Sequence, residues 1–311
     1  MRAYIIRRLL QSIIVINVVL LVVFFMLHLS GDPAGVLMPM DTTQEDLAQF
    51  RKDMGFDQPL YIQYLRFLFG HEKNKGVIRG DFGYSFRHEL PAMDLVLEHF
   101  PNTVQLALAA VLISLIIALP AGTLSAVFRN TWIDYASTTG AILGQSMPSF
   151  WLGLMLIMVI SVKFRWLPTS GYEGLEYIIL PALTSGLYQT ARISRMVRSC
   201  VLEVLGSDYV RTARAKGLVE WLVVRRHVLK NASIPVVTLV GMELGILLGG
   251  TVVTEVVFAW PGVGFLTVDA IYMQDYPVVQ AAVTLLAIIF VGINLTVDIL
   301  YAWLDPRIVY S

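Results

Sequence analysis

The sequence predicts an all-α membrane protein with six transmembrane helices, and three observations predict it. The 311 residues are 56% hydrophobic and 15% charged, whereas an average soluble domain carries about 25% charged residues. The apolar residues gather into six runs, each close to or above the roughly 20 residues that a spanning helix needs. Charge, finally, is sorted by loop: net charge is zero, yet cations crowd a few short connections, as expected of cytoplasmic ones. The mean hydropathy of +0.68 agrees. A zero balance gives no global attraction to nucleic acid. The one cysteine, Cys200, has no partner for an internal disulfide.

The first run, Leu9 to Leu29, follows Arg2, Arg7 and Arg8, which hold the N-terminus inside. It exceeds the roughly 7–15 apolar residues of a signal peptide, and no small-x-small cleavage site follows, so it reads as a retained first span. The second, about Thr103 to Phe128, starts through Pro101-Asn102 and is followed by Arg129. The third covers about Thr138 to Phe164, where Pro148 kinks or starts the helix. The fourth is about Tyr177 to Val197, the fifth Val236 to Phe258 and the sixth Val279 to Trp303. Six spans return the C-terminus to the side of the N-terminus. The loops agree: residues 259–278 carry no Lys or Arg and fall outside, while Arg129 and Arg307 fall inside.

Residues 31–101 also fall outside. They hold seven Lys/Arg and eleven Asp/Glu, but long loops translocate largely regardless of charge. Thr42-x-x-Glu45 is a candidate capping box. Leu47, Phe50 and Met54 recur at helical spacing up to Gly55, and Tyr61, Leu65 and Leu68 share one face of a second amphipathic stretch. Gly80-Asp81-Phe82-Gly83 is a turn. This segment is either an extracytoplasmic cap or a loop packed on the bundle.

The most basic stretch lies between the fourth and fifth spans. From Arg192 to Lys230 there are nine Lys/Arg against three acids, Glu203, Asp208 and Glu220, which places the loop in the cytoplasm. Ser207 or Asp208 can cap a short helix over Tyr209 to Lys216. Ala213 and Ala215 favour that helix, and Gly217 can end it in a left-handed conformation. A second run, Val219 to Asn231, leads to Pro235, which suits the first turn of a new helix.

The stretch YVRTARAKGL (Tyr209 to Leu218), followed by HVLKNASIP (His227 to Pro235), resembles the cytoplasmic coupling loop of ABC-transporter permeases, in particular the dipeptide/oligopeptide/nickel/glutathione importers. The resemblance covers nearly the whole chain. Its other pieces, in order, are RRLL (Arg7 to Leu10), GDP (Gly31 to Pro33), GDFGYS (Gly80 to Ser85), MPSFWLG (Met147 to Gly153), WPGVG (Trp260 to Gly264), DYPVVQ (Asp275 to Gln280) and DPRI (Asp305 to Ile308). Most permeases of the superfamily begin the loop Glu-Ala-Ala. This chain has Arg211-Thr212-Ala213, as the peptide subgroup does, which removes any role that depends on the glutamate.

The resemblance implies a type I ABC importer permease fold in a bacterial inner membrane, with both termini cytoplasmic. It implies a first span over 1–30, an extracytoplasmic cap over 31–100 that helps receive a substrate-binding protein, a permease core over 101–305 with its coupling loop at 200–235, and a short tail over 306–311. It implies a second homologous permease, two ATP-binding subunits that carry ATP and Mg, and a peptide or similar small solute as cargo. Tyr209, Arg211, Thr212, Ala213, Arg214, Ala215, Lys216 and Gly217 would then transmit force and perform no chemistry.

Ionisable residues inside spans are costly and default to functional candidates. The fifth span carries Glu243 and Glu255, with Gly241, Gly245 and Gly249 at four-residue spacing, a pattern that permits close helix approach. Glu243 lies about 200° around the helix from Gly241. Either the glycines pack while Glu243 meets the pathway, or Glu243 is buried against a neighbour. Glu255 reads as an interface or gating residue. Asn294 and Asp298, near the inner end of the sixth span, suggest an anchor for the basic loop. There is no P-loop, no His-Glu-x-x-His and no Gly-x-Ser-x-Gly, and the five histidines lack metal-ligand spacing. The chain thus offers no catalytic residue, no metal site and no nucleotide site, so its engine is expected on separate subunits. The rival reading is a proton-coupled secondary transporter using Glu243 or Glu255.

Overall fold

The computed structural model describes residues 2–30, 43–54, 56–71 and 75–304. Among these residues the protein is helical, with no strand beyond the isolated bridge of Tyr84 to Pro91. Thr42, Gly55, the Gly31–Pro33 and Asp305–Ile308 motifs, the 306–311 tail and the side chains of Phe50, Met54 and Asp298 lie outside the described residues. The chain divides into two compact units, residues 1–103 with 261–311, and residues 104–260.

In the first unit, α1 (Arg2–Ser30) packs along the last helix, α13 (Tyr276–Leu304), and α12 (Val263–Tyr272) packs on α13 too. Between them lie two short helices, α2 (Gln44–Met54) and α3 (Leu60–Phe69), a single 3-10 turn (Val77–Arg79), and the start of α4 (Ala92–Val127). Thr43 caps α2: its hydroxyl oxygen accepts the Asp46 N–H at 3.2 Å. The buried face of α3 differs from the predicted one. Tyr61 and Leu65 are exposed, while Tyr64, Phe67 and Leu68 turn inward, because the rings of Tyr64 and Phe67 pack against Phe24 of α1, edge-on and tilted, with centroids at 5.3 and 5.5 Å. The Gly80–Gly83 turn is present, with Gly80 and Gly83 both left-handed and the Asp81 carboxylate accepting the Lys75 and Gly83 N–H groups.

The second unit is built around α7 (Leu175–Leu205), which packs against α5 (Trp132–Ser146), α6 (Ser149–Leu156), α10 (Leu229–Gly250) and α11 (Val252–Val257). Its buried face is rich in small residues, Ala182, Ser185, Gly186, Ala191 and Ser194, which let helices approach closely. The approach of α4 is tightest at Gly122, where a Cβ would stand 2.5 Å from the Ser194 carbonyl oxygen. α6 continues as a π-helix over Ile157–Lys163, and α9 (Glu220–Val223) joins α10 through another over Val224–Val228.

Among the described residues four helices are long and apolar enough to cross a membrane: α1 over Ile6–Met26, α4, the continuous Glu220–Gly249 run, and α13 over Tyr276–Val297. The predicted third span is the pair α5 and α6, bent by 103°. Proline disfavours a helical preceding residue, and Met147, just before Pro148, is extended. The predicted fourth span is α7, a helix of 31 residues whose Gln189, Arg192 and Arg195 lower its hydropathy. Three boundaries move. α4 starts at Ala92, well before Thr103, because Leu95 and Val96 of its polar first turns reach the core. Pro235 begins no helix and lies inside α10. The fifth span breaks at Thr251, after Gly249-Gly250 and before a β-branched run of poor helix formers, so Glu255 belongs to α11 and not to the helix of Glu243.

Candidate functional site

The basic loop folds as α8 (Asp208–Ala215). Ser207 stands at its N-cap position, but its side chain does not cap. The hydroxyl instead donates back to the Val204 carbonyl, and only the Ser207 backbone oxygen takes the Val210 and Arg211 N–H groups. Gly217 ends the helix at φ +77°, and its N–H donates to the Arg214 carbonyl. One face of α8 is apolar. Val210 and Ala213, three apart, are buried in a cluster with Val201, Val223, Val228 and Ala232. Tyr209, Arg211, Thr212, Arg214, Ala215, Lys216 and Gly217 are exposed. Ala213 therefore packs α8 onto its own chain, and Ala215 is the small residue that α8 presents outward.

Two side-chain contacts brace this helix. Arg214 grips the Glu220 carboxylate with two nitrogens, at 3.0 and 2.6 Å, across the Gly217 turn. That guanidinium holds the Glu220 carboxyl below the usual carboxylate range, so the contact is lost only as pH falls through this lowered value. Both groups are near half-exposed, and the pair adds little to stability. The Asn231 amide donates to the Tyr209 hydroxyl at 2.9 Å, tying α8 to the first turn of α10. Arg211 pairs with Asp208 on the surface at 3.3 Å.

Above the loop, α7 carries cations at positions 192, 195 and 198, each directed at a different group. Arg198 makes a two-nitrogen grip on buried Asp134, both contacts at 2.8 Å, and Asp134 also accepts from the Ser125 hydroxyl and the Asn130 N–H. Arg195 donates to the Gln145 side-chain oxygen at 2.8 Å. Arg192 stands 3.0 Å from Glu243. Glu243 is fully buried in α10, and Gly245, about 200° away around the helix, is buried too. Glu255 is also fully buried, and the Thr251 hydroxyl donates to it at 2.8 Å. Sequence reading passed over Asp134; its signal was a carboxylate in the first turn of a helix that follows a basic turn.

A second missed residue is Asp275, in the first unit. It is buried, and its carboxylate accepts from the Ser85 hydroxyl and the Phe86 and Arg87 N–H groups. The motifs Gly80–Ser85 and Asp275–Gln280 thus meet in space. Asn294 bonds only its own helix among the described contacts, through the Phe290 carbonyl.

Residues 118–310 match the family model of the binding-protein-dependent transport system inner membrane component, and residues 1–107 match the N-terminal membrane component of the same systems. The chain belongs to this family. The permease is 42% identical, over 99% of both chains, to the glutathione transport system permease protein GsiC of Escherichia coli K12, and equally to that of Shigella dysenteriae. Its fold resembles that of the MetNI methionine ABC transporter in inward-facing conformations, with TM-score 0.56 and 21% identity over 68% of this chain and 97% of that one. It also resembles an amino acid ABC transporter, with TM-score 0.50 and 15% identity over 69% and 94%. The fold is thus that of type I ABC importer permeases, and the chain is an inner-membrane permease subunit of such an importer. Nothing in these comparisons supports the proton-coupled alternative.

Proposed function

We propose that this permease forms half of the pathway of an ATP-driven importer for peptides or glutathione-like solutes, and that α8 is its coupling helix. The observation that carries the proposal is the construction of α8. It is fixed to its own bundle by Val210 and Ala213 and to α10 by Tyr209, while Arg211, Thr212, Ala215 and Lys216 are left outward. A rigidly mounted helix with a small-residue and cationic outer face suits a groove with an acidic rim on an ATPase subunit. ATP and Mg belong to two such subunits, a second permease completes the pathway, and a binding protein delivers cargo to the segment over 31–100. Both termini lie in the cytoplasm. GsiC's name supports the peptide-like cargo.

The test is to purify the tagged permease from its native membrane, identify the co-purifying chains by mass spectrometry, and reconstitute the complex in liposomes. ATPase and second-permease chains, with uptake that needs ATP inside, are expected. Uptake that survives inactive ATPases and collapses with the proton gradient would overturn the proposal.

A further inference from the structure

On the six-span reading α7 crosses the membrane, and an arginine within it, with its outer edge uncovered, needs an explanation. Arg192 is 13 residues from the Leu205 end of α7, about 20 Å at 1.5 Å per residue. The helix itself is about 46 Å long by the same rise, against a hydrocarbon core of about 30 Å. Even if all the excess projected on the loop side, Arg192 would still fall within the core. The positive-inside rule, which acts on loops and span ends, does not account for it.

The guanidinium is oriented from behind. Nη1 lies 3.0 Å from Oε1 of Glu243, whose side chain is wholly buried, while 39% of the Arg192 side chain is exposed. The contact is close enough for an ion pair but off the line of a hydrogen bond, since neither Glu243 oxygen accepts one. The Gln189 side-chain oxygen, one turn away on α7, is likewise buried without a hydrogen bond. Arg192's remaining N–H groups have no protein acceptor in the described chain. Charged side chains within spans almost always face the bundle interior or a water-filled cavity. One turn nearer the loop, Arg195 meets only the neutral Gln145, so its charge too is uncompensated. A guanidinium aimed by a buried carboxylate, with its fork open, matches a carboxylate ligand.

We infer that Arg192 contacts the carboxylate of the transported solute within the pathway, that Glu243 positions it, and that Arg195 offers the next contact toward the loop. The substrate class is then carboxylate-bearing small molecules, peptides with a free C-terminus among them. This rests on the peptide reading above.

The complete complex in liposomes tests it, with glutathione and trialanine as probes and binding protein saturating. Arg192→Gln is expected to lower maximal uptake of the accepted probe tenfold or more, with the KM for loaded binding protein and the recovery of all subunits unchanged. Arg192→Lys should retain part of the uptake. The double variant Arg192→Gln/Glu243→Gln separates contact from packing. It leaves no unpaired buried charge, so a purely structural pair predicts recovery, whereas the contact role predicts continued loss. Recovery in the double variant, normal uptake by Arg192→Gln, or loss of the second permease from Arg192→Gln complexes overturns the inference. A wild-type complex that takes up neither probe overturns the peptide reading, and the inference with it.

Discussion

Asp134 joins three separate pieces of the second unit: the end of α4 through Ser125, the turn through the Asn130 N–H, and α7 through Arg198. Removing one member of a buried ion pair leaves the other uncompensated and typically costs about 3–5 kcal/mol. Arg198 keeps some exposure, so Asp134→Ala should fall at the low end, about 3 kcal/mol. In detergent this should appear as a clear drop in the unfolding temperature. Asp134→Ala/Arg198→Met, which leaves no charge behind, should recover part of it. An unchanged unfolding temperature for Asp134→Ala would show that these elements are held by packing alone. Gly122 makes a complementary case, because its constraint is spatial. A methyl 2.5 Å from the Ser194 carbonyl oxygen must push α4 and α7 apart, so Gly122→Ala should destabilise by about 1–3 kcal/mol despite alanine's better helix propensity.

For α8, the inward and outward alanines predict opposite failures. Ala213→Trp has no room in the valine cluster, so it should reduce the folded permease in the membrane. Ala215 is exposed, so Ala215→Trp should leave membrane levels normal and abolish ATP-driven uptake. Normal uptake by Ala215→Trp at matched levels would mean that the outer face seats no partner. At Gly217, alanine must hold φ +77° at a cost of about 1–2 kcal/mol, and proline cannot adopt it at all. The existence and end of α8 were legible, because an alanine-rich polar stretch closed by glycine has few other conformations. Its orientation is not what the sequence reading expects: Ala213, counted among the force-transmitting residues, turns inward with Val210. Span limits were less legible. The start of α4 and the burial of Tyr64 rather than Tyr61 depend on tertiary contacts with Phe24 and the core. Asp134 carries a local signal, but its pairing with Arg198, like that of Ser85 with Asp275, joins residues far apart in sequence, and no local pattern announces the partner.

At the scale of the whole molecule the number of crossings can be tested directly: among the described residues four helices pass on length and composition, and five with the bent pair. α7 is not among them, because its arginines make it costly in lipid. Three of those charges are directed at groups of the same unit, Glu243, Gln145 and Asp134, which lowers the cost of crossing. Parity then decides. If α5/α6 and α7 both cross, position 129 and position 216 lie on one side and position 173, between them, on the other. If neither crosses, all three share a side; if one crosses, positions 129 and 216 are separated. Single cysteines in a Cys200→Ser background, labelled in intact cells with an impermeant maleimide, distinguish the cases. Glu173→Cys and Tyr272→Cys are both at exposed positions and should react from outside. Arg129→Cys and Lys216→Cys should react only after the membrane is opened. Outside labelling at 216 with protection at 129 would make one of the two elements a re-entrant structure and would put α8 beyond the reach of any cytoplasmic ATPase.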